Sequence, residues 1–290
     1  MSLTVVVTGG SGRIGRFVVR HLVSRGHQVI NLDRRQSPDG LARFAYVDLA
    51  DRAQVQPWLA QADAVIQLGE ITHQSAPFSP DHIYAHNTRA AAVVMQTAAD
   101  LKLRCAIYTS SCQVYGCWDY PIVAPQHLPF DETHPLRPQN VYALSKTANE
   151  HYCQWLSKAS ALSIAIFRLP WVVDHELGDH HWRWIASGRD GFDGLGTYVH
   201  ASDVAVAYAQ AIENPRPGCE AYHLVAPDTA DLVPIAEHMK SLKDWPPLPP
   251  NWPPFKSLVV TDKARAHLGW EAKWSIHNQY RAKFGKEPGT

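Results

Sequence analysis

The sequence has no net charge, no long apolar run and no cysteine framework. Its 27 Lys and Arg balance 27 Asp and Glu, and only 19% of its 290 residues are charged. Without a positive field, nothing drives capture of nucleic acid or of an anionic membrane surface. No stretch approaches the roughly 18 apolar residues that a membrane-spanning helix requires. Met1-Ser2-Leu3-Thr4 leads straight into valines rather than into a basic, apolar, small-residue leader, so a cytoplasmic location is expected. The five cysteines (105, 112, 117, 153 and 219) are odd in number and lack Cys-x-x-Cys spacing, which argues against disulfides and a zinc site.

What is present in excess is tryptophan and proline, at 10 and 21 residues. Only Trp58 falls within the first 110 residues, so this composition belongs to the second half of the chain. The first half instead alternates β-branched runs with helical patterns. Strands are expected at residues 3–8, 28–32, 43–47, 64–68 and 105–109, with helices at 14–25, 51–61 and 82–101. A helix at 141–158 and a strand at 163–169 follow. This alternation is the pattern of an α/β protein with a parallel sheet covered on both faces. Residues 171–198 show no clear period; beyond them a helix at 202–213, a strand at 222–225 and a helix at 231–240 are expected. The proline-dense run 246–254 cannot be helix or central strand and reads as a semi-rigid surface connector.

The sharpest motif is Thr8-Gly9-Gly10-Ser11-Gly12-Arg13-Ile14-Gly15, placed between the first strand and the first helix. Glycines 9, 12 and 15 allow a tight turn, close approach of a pyrophosphate and close helix–sheet packing, and the helix N-terminus supplies N–H donors to phosphate. Asp33 ends the second strand, 18 residues after Gly15, where an acid binding the adenosine ribose is expected. A carboxylate there repels a 2′-phosphate and favours NAD, while Arg13, Arg34 and Arg35 pull toward NADP. Asp48 and Leu49 are placed to meet the adenine, with Asp48 equally readable as a helix cap.

A second constellation is Tyr142-Ala143-Leu144-Ser145-Lys146. On a helix Tyr and Lys four apart share a face, so the ammonium is expected to lower the phenol and ready it for proton transfer. Ser111, where the fifth strand meets its loop, completes a Ser-Tyr-Lys set.

These residues, together with Ser110-Ser111-x-x-Val114-Tyr115-Gly116, Leu68-Gly69, Asn87-Thr88, Phe167-Arg168, His200-x-x-Asp203 and Leu268-Gly269-Trp270, resemble the extended short-chain dehydrogenase/reductase superfamily, and within it the NAD-dependent epimerase/dehydratase family. The resemblance implies a Rossmann-type, doubly wound parallel sheet with a small interleaved C-terminal substrate domain. The implied division is a cofactor domain over residues 1–170, to which 199–225 returns, and a substrate region over 171–198 and 226–290. It further implies Ser111, Tyr142 and Lys146 as a catalytic triad, and a cofactor bound by Gly9, Gly12, Arg13, Ile14, Gly15, Asp33, Arg34, Asp48, Leu49, Leu68, Gly69 and Asn87 as well as by Tyr142 and Lys146. A homodimer through the helices at 82–101 and 141–158 is an expected assembly.

Departures narrow the function. Family dehydratases carry an Asp-Glu pair where this chain has Cys112-Gln113, so sugar dehydration is not expected. Trp171 replaces the usual Asn after the sixth strand. The segment from Trp171 to His200 is short for a nucleotide-sugar enzyme and resembles the uronate-dehydrogenase-like branch, although Glu70 departs from it. Expected substrate contacts are His73, Ser111, Gln113, Trp171 and Arg183. Trp171, Trp182 and Trp184 read either as an apolar platform for a sugar ring or as ordinary packing. The Asp174-His175-Glu176 and Asp179-His180-His181 run reads as a loop rather than a metal site. The favoured function is an NAD(P)-dependent oxidoreductase on a small, polar, sugar-like substrate. The alternatives are a (nucleotide-)sugar 4-epimerase with transient oxidation, and a non-enzymatic cofactor sensor.

Overall fold

The computed structural model describes residues 2–72, 77–118, 122–175, 177–178, 181–182, 185, 196–240, 242 and 244–287. The β-branched runs form the strands β1 (Thr4–Thr8), β2 (Gln28–Asp33), β3 (Arg43–Tyr46), β4 (Ala64–Gln67), β5 (Cys105–Ser111) and β6 (Ser163–Leu169). With β9 (Cys219–His223) they make one parallel sheet in the order β3-β2-β1-β4-β5-β6-β9. Every residue of β4 and β5 is buried, as expected of central parallel strands covered on both faces. The chain leaves β1 toward one edge and returns at β4 to build the other half. The order therefore reverses between β1 and β4, and a crevice opens beyond their C-terminal ends.

Helices fill both faces. On one, α1 (Gly15–Ser24) buries Val18, Val19 and Leu22 against α5 (Ala201–Glu213), which contributes Val204, Ala207, Tyr208 and Ile212. On the other, α2 (Arg52–Leu59), α3 (Pro80–Asp100) and α4 (Val141–Ser160) share a core of Val55, Leu59, Ala91, Val94, Met95, Cys153 and Leu156. Local chemistry sets their starts. Asp51 caps α2 by accepting from the Ala53 N–H, Pro80 opens α3 at a position that needs no N–H, and Asn140 caps α4 through the Ala143 N–H.

The second half departs from the expected elements. The last sheet strand spans Cys219–His223, three residues earlier than expected, with its register set by pairing to β6. The helix expected at 231–240 is only α6 (Ile235–Met239), because Pro234 stands extended at its N-cap. A two-stranded parallel pair, β7 (Trp171–Val173) with β8 (Tyr198–His200), and the helices α7 (Asp262–Leu268) and α8 (Ile276–Phe284) had no clear periodic signal. The 246–254 run is, as expected, a surface connector without helix or strand, exposed at Pro247, Pro250, Asn251, Pro253 and Pro254, with Leu248 and Trp252 resting against the cluster of Tyr115, Phe130, Ile235 and Val259.

Trp270 explains why the end of the chain belongs to the sheet. It is fully buried in the α1–α5 core and donates its indole N–H to the Asp203 carbonyl at 2.8 Å. The Asp203 carboxylate accepts from the N–H groups of Lys273 and Trp274 at 3.0 and 2.8 Å. Asp203 and Trp270 therefore staple the C-terminal segment to α5. Trp270→Ala removes this hydrogen bond and leaves a large cavity, so it should cost about 3–5 kcal/mol in urea unfolding. A loss below about 1 kcal/mol would show that the staple carries no stability.

Candidate functional site

The glycine turn closes over the end of β1. Gly9 has φ +65°, and its N–H donates to the Leu32 carbonyl at 2.8 Å. A Cβ on Gly9 would sit 2.8 Å from the Gly69 backbone, and one on Gly15 would sit 2.2 Å from the Gly9 carbonyl oxygen. The Gly12 N–H donates back to that same oxygen at 3.0 Å. Thr8 ties the two strand ends together: its hydroxyl oxygen accepts from the N–H groups of Leu68 and Gly69, each at 3.0 Å. Leu49 is buried, and its Cδ1 would lie 2.4 Å from a Cβ on Gly69. Gly9, Gly12, Ile14, Gly15, Leu49, Leu68 and Gly69 are thus gathered at one edge of the crevice.

Asp33, at the end of β2, accepts from the Ser11 N–H at 3.0 Å and from the Arg34 N–H at 2.6 Å, so the glycine loop itself orients the carboxylate. The Arg34 guanidinium points away, 3.2 Å from His86 Nε2 and 3.8 Å from Asp48. Asp48 accepts from the Ala50 N–H within its own turn, while the cap of α2 is Asp51. Arg13 grips Asp174 with two hydrogen bonds of 2.7 and 3.1 Å, and Arg16 adds a third at 3.2 Å. Burial pushes the Asp174 carboxyl up, but Arg13 and then His175 hold it far below its ordinary value. The two guanidinium groups nearest the glycine turn are therefore already matched to carboxylates.

Asn87 is fully buried and both polar ends of its amide are spent on the Ile71 backbone, at 2.8 Å each. These bonds pin the segment after β4 to α3, and the amide also donates to the Ser145 hydroxyl at 3.4 Å.

The Ser-Tyr-Lys set converges. β5 delivers Ser111, whose hydroxyl oxygen accepts from the Gln113 N–H at 3.2 Å in the 3₁₀ turn Cys112–Tyr115. α4 delivers Tyr142, in hydrogen-bonding contact with Ser111 and Lys146. The Lys146 ammonium lies 5.4 Å from the centre of the Tyr142 ring and donates to the Thr109 carbonyl at 2.6 Å. Asn140 donates to the Gln113 side-chain oxygen at 3.2 Å, tying the α4 cap to this turn.

One expectation is reversed. The phenol of Tyr142 stands above its ordinary value, not below it: burial pushes it up, Lys146 pulls it down and Glu70 pushes it up again. Glu70 is the residue that sequence reasoning noted only as a departure. Its carboxylate is 2.6 Å from the Lys146 ammonium, and both side chains are nearly buried, at 3% and 4% exposed. Behind this pair a second buried pair, Glu150–Arg168 at 2.6 Å, fastens α4 to β6. Arg168 continues to Tyr115, whose hydroxyl meets His223 Nε2 at 2.7 Å.

Trp171 lies half-buried on β7, packed with Val173 and Tyr198, and Trp182 is buried against Tyr280 and Phe284. Packing is therefore the role of Trp182. His73, Arg183 and Trp184 lie outside the described residues, as do Glu176, Asp179 and His180. Of the Asp174–His181 run, Asp174 is taken by arginines and His175 faces His181 at 2.8 Å. Among the described residues, His127, Asp131 and His134 bring ligand atoms within 4.8 Å of one another. Both ring nitrogens of His134 already face backbone partners, Asp131 O at 3.3 Å and the His127 N–H at 3.4 Å. Burial pushes the thiols of Cys112 and Cys117 well up, Cys117 to about 12, so neither is a ready nucleophile.

A reversed parallel sheet, a glycine cradle against the switch point and an acid closing β2 define a dinucleotide-binding protein of the Rossmann type. The chain belongs to the NAD dependent epimerase/dehydratase family, whose model matches residues 5–180. As a member of that family it is an NAD-dependent enzyme. The UDP-glucose 4-epimerase of Lacticaseibacillus casei is 25% identical across 98% of this chain and 99% of that protein. Among solved structures, the Bifidobacterium longum UDP-glucose 4-epimerase in complex with NAD+ and UDP matches with a TM-score of 0.71 at 21% identity, covering 99% of this chain and 100% of that one. A mutated uronate dehydrogenase matches with the same TM-score at 20% identity, covering 100% and 88%.

Two predictions follow from this geometry. Gly15→Ala drives a methyl into the Gly9 carbonyl and must open the cradle, so NAD binding measured by calorimetry should weaken at least about tenfold. An unchanged Kd in the folded variant would refute the cradle. The second concerns His223, which burial and then Arg168 push down to about 3. Between pH 6.5 and this value the unfolded chain takes up a proton that the folded one refuses. Stability should therefore fall with decreasing pH, by up to about 1.4 kcal/mol per unit from this residue. Urea midpoints for His223→Gln should show a flatter slope between about pH 4 and 6 than the parent.

Proposed function

We propose that the chain is an NAD-dependent dehydrogenase or reductase acting on a carbinol or carbonyl of a small, polar, sugar-like substrate. The observation that carries this is the convergence of Ser111, Tyr142 and Lys146 at the crevice, beside Cys112 and Gln113 rather than an acid/base pair. Elimination of water needs such a pair; oxidation of a carbinol needs only a place for its proton and a hydride acceptor.

The cofactor residues fit NAD: Gly9, Gly12 and Gly15 let the turn after β1 fold tightly enough for its backbone to hold a pyrophosphate, and Asp33 offers carboxylate oxygens at the end of β2. Arg13 favours this reading over NADP because the Asp174 carboxylate already holds it. Bound NAD supplies the hydride acceptor, and its reduced form the donor. Tyr142 takes the proton of the substrate hydroxyl on oxidation and returns it on reduction. Ser111 holds the reacting oxygen beside that phenol, and Lys146 supplies the positive charge that stabilises phenolate. Residues 171–198 and 226–290 are assigned to substrate choice, with Gln113 and Trp171 as contacts.

The short segment between β6 and β8 supports a small substrate. The alignment with the L. casei epimerase runs over 340 positions, more than this chain's 290 residues, so the relative carries the additional length. The same relative favours a second reading, a nucleotide-sugar 4-epimerase in which the hydride returns to the substrate. The two separate on incubation with NAD and a panel of free sugars, uronates and nucleotide sugars. Net NADH formation is expected with a free sugar or sugar acid; an epimer formed without NADH would overturn the first reading. Tyr142→Phe should lower turnover by about 10²–10⁴-fold, and full retained turnover would sink the role given to Tyr142.

A further inference from the structure

Glu70 stands where β4 ends, one residue after the glycine that meets Gly9, and its side chain turns inward beneath α4. Its Oε2 lies 2.6 Å from Lys146 Nζ, and its Oε1 receives Asn149 Nδ2 at 3.5 Å. Asn149 also donates to the Tyr108 hydroxyl at 2.9 Å and to the Asn87 carbonyl at 3.3 Å. Each element around the cluster contributes a group. β4 leads to Glu70; β5 brings Tyr108, the Thr109 carbonyl and Ser111; α3 brings Asn87; α4 brings Tyr142, Lys146, Asn149, Glu150 and Cys153; and α5 brings Tyr208. Glu150 is neutralised by Arg168, which leaves Glu70 as the carboxylate within ion-pair reach of Lys146 among the described residues.

A lysine that serves Tyr142 alone would present a full positive charge to the phenol. Here that charge is shared with a buried carboxylate 2.6 Å away, and the ammonium donates a hydrogen bond to the Thr109 carbonyl. We propose that Glu70 is a positioning residue of this site: its buried carboxylate holds the Lys146 ammonium against the end of β5 and sets the net charge that Tyr142 faces. Tyr142 then answers to a three-group cluster, Glu70–Lys146–Tyr142, in which the carboxylate opposes phenolate. Burial works against the Lys146 charge, yet Glu70, joined by Tyr142 and Glu150, holds the ammonium above its ordinary value. The Tyr142 phenol is held up by burial and by the same carboxylate. A positively charged group bound above the cluster is what would bring the phenol down, so proton acceptance by Tyr142 is gated by the charge of its ligand.

The proposal bears on the reading of Tyr142 as proton acceptor, but its test reads the cluster without substrate, so the two fail separately. Protein labelled with ¹³Cζ-tyrosine is titrated by NMR, the Tyr142 resonance being assigned by its loss in Tyr142→Phe. In the unliganded wild-type protein Tyr142 should remain a phenol to about pH 10 or beyond. In Glu70→Gln, which keeps the side-chain shape while removing the charge, its midpoint should drop by more than about one pH unit. An unchanged midpoint in folded Glu70→Gln overturns the proposal. So does a wild-type Tyr142 that titrates below about pH 9, a result available even if the variant does not fold. As a second readout, the pH profile of NAD reduction should move in the same direction in Glu70→Gln, whereas purely structural damage lowers its height without moving its limb.

Discussion

The contact between the backbones of Gly9 and Gly69 is the constraint on which the site depends. Two turns, one after β1 and one after β4, approach so closely that a single Cβ on Gly9 would lie 2.8 Å from its neighbour's backbone. Thr8 completes the joint by accepting from both N–H groups of the second turn. This closeness lets the first turn curl into a phosphate cradle. The residue that follows the joint, Glu70, meets Lys146 of α4 at 2.6 Å. The cofactor side and the proton-transfer side of the site are thus registered to each other by backbone.

Below that joint the structure places charge where water is scarce. A buried ion pair is costly unless its geometry is good and its remaining hydrogen-bonding capacity is met. Lys146 has the Thr109 carbonyl as well as Glu70; Glu150 has three contacts with Arg168 and one with Ser110. These pairs fasten α4 to β4, β5 and β6, and removing one partner would strand a charge in the core. Their value lies in position: they hold the face of α4 that carries Tyr142 at a fixed height above the ends of the strands. The same burial works against ionisation of Tyr142, which is why an i,i+4 lysine did not suffice to lower the phenol.

How much of this was legible in the sequence follows from the range of each signal. The strands of the first half and α1, α3 and α4 are set by local periodicity and caps, and their expected positions lie within a few residues of those found. The Ser-Tyr-Lys set was legible because a strand end and a helical i,i+4 spacing place it almost without tertiary detail. Long-range partners left no such trace. Nothing near Glu70 in the sequence announces Lys146, and nothing near Arg13 announces Asp174, 161 residues away. The second half was poorly legible for a related reason. Its short elements, β7, β8, α6, α7 and α8, are held by long-range packing and by single anchors such as Asp203 and Trp270, whose periods are too short to read.

The tryptophan-rich half acquires its meaning from these anchors. Trp270 closes the sheet layer, Trp118 donates to Thr197 at 2.7 Å, and Trp182 packs on α8. Large rigid side chains compensate for short elements, since each buries much apolar area at little cost in side-chain entropy. The segment after β6 is joined to the cofactor turn by Arg13 and Arg16 on Asp174, so the part of the chain expected to choose the substrate is tied electrostatically to the part that cradles phosphate. A nucleotide-sugar substrate would have to be held by this same small region. Under the proposed reading, a small substrate would lie between the Arg13–Asp174 clasp and the Ser111–Tyr142 pair, the two charged and polar groupings that flank the ends of β1 and β5.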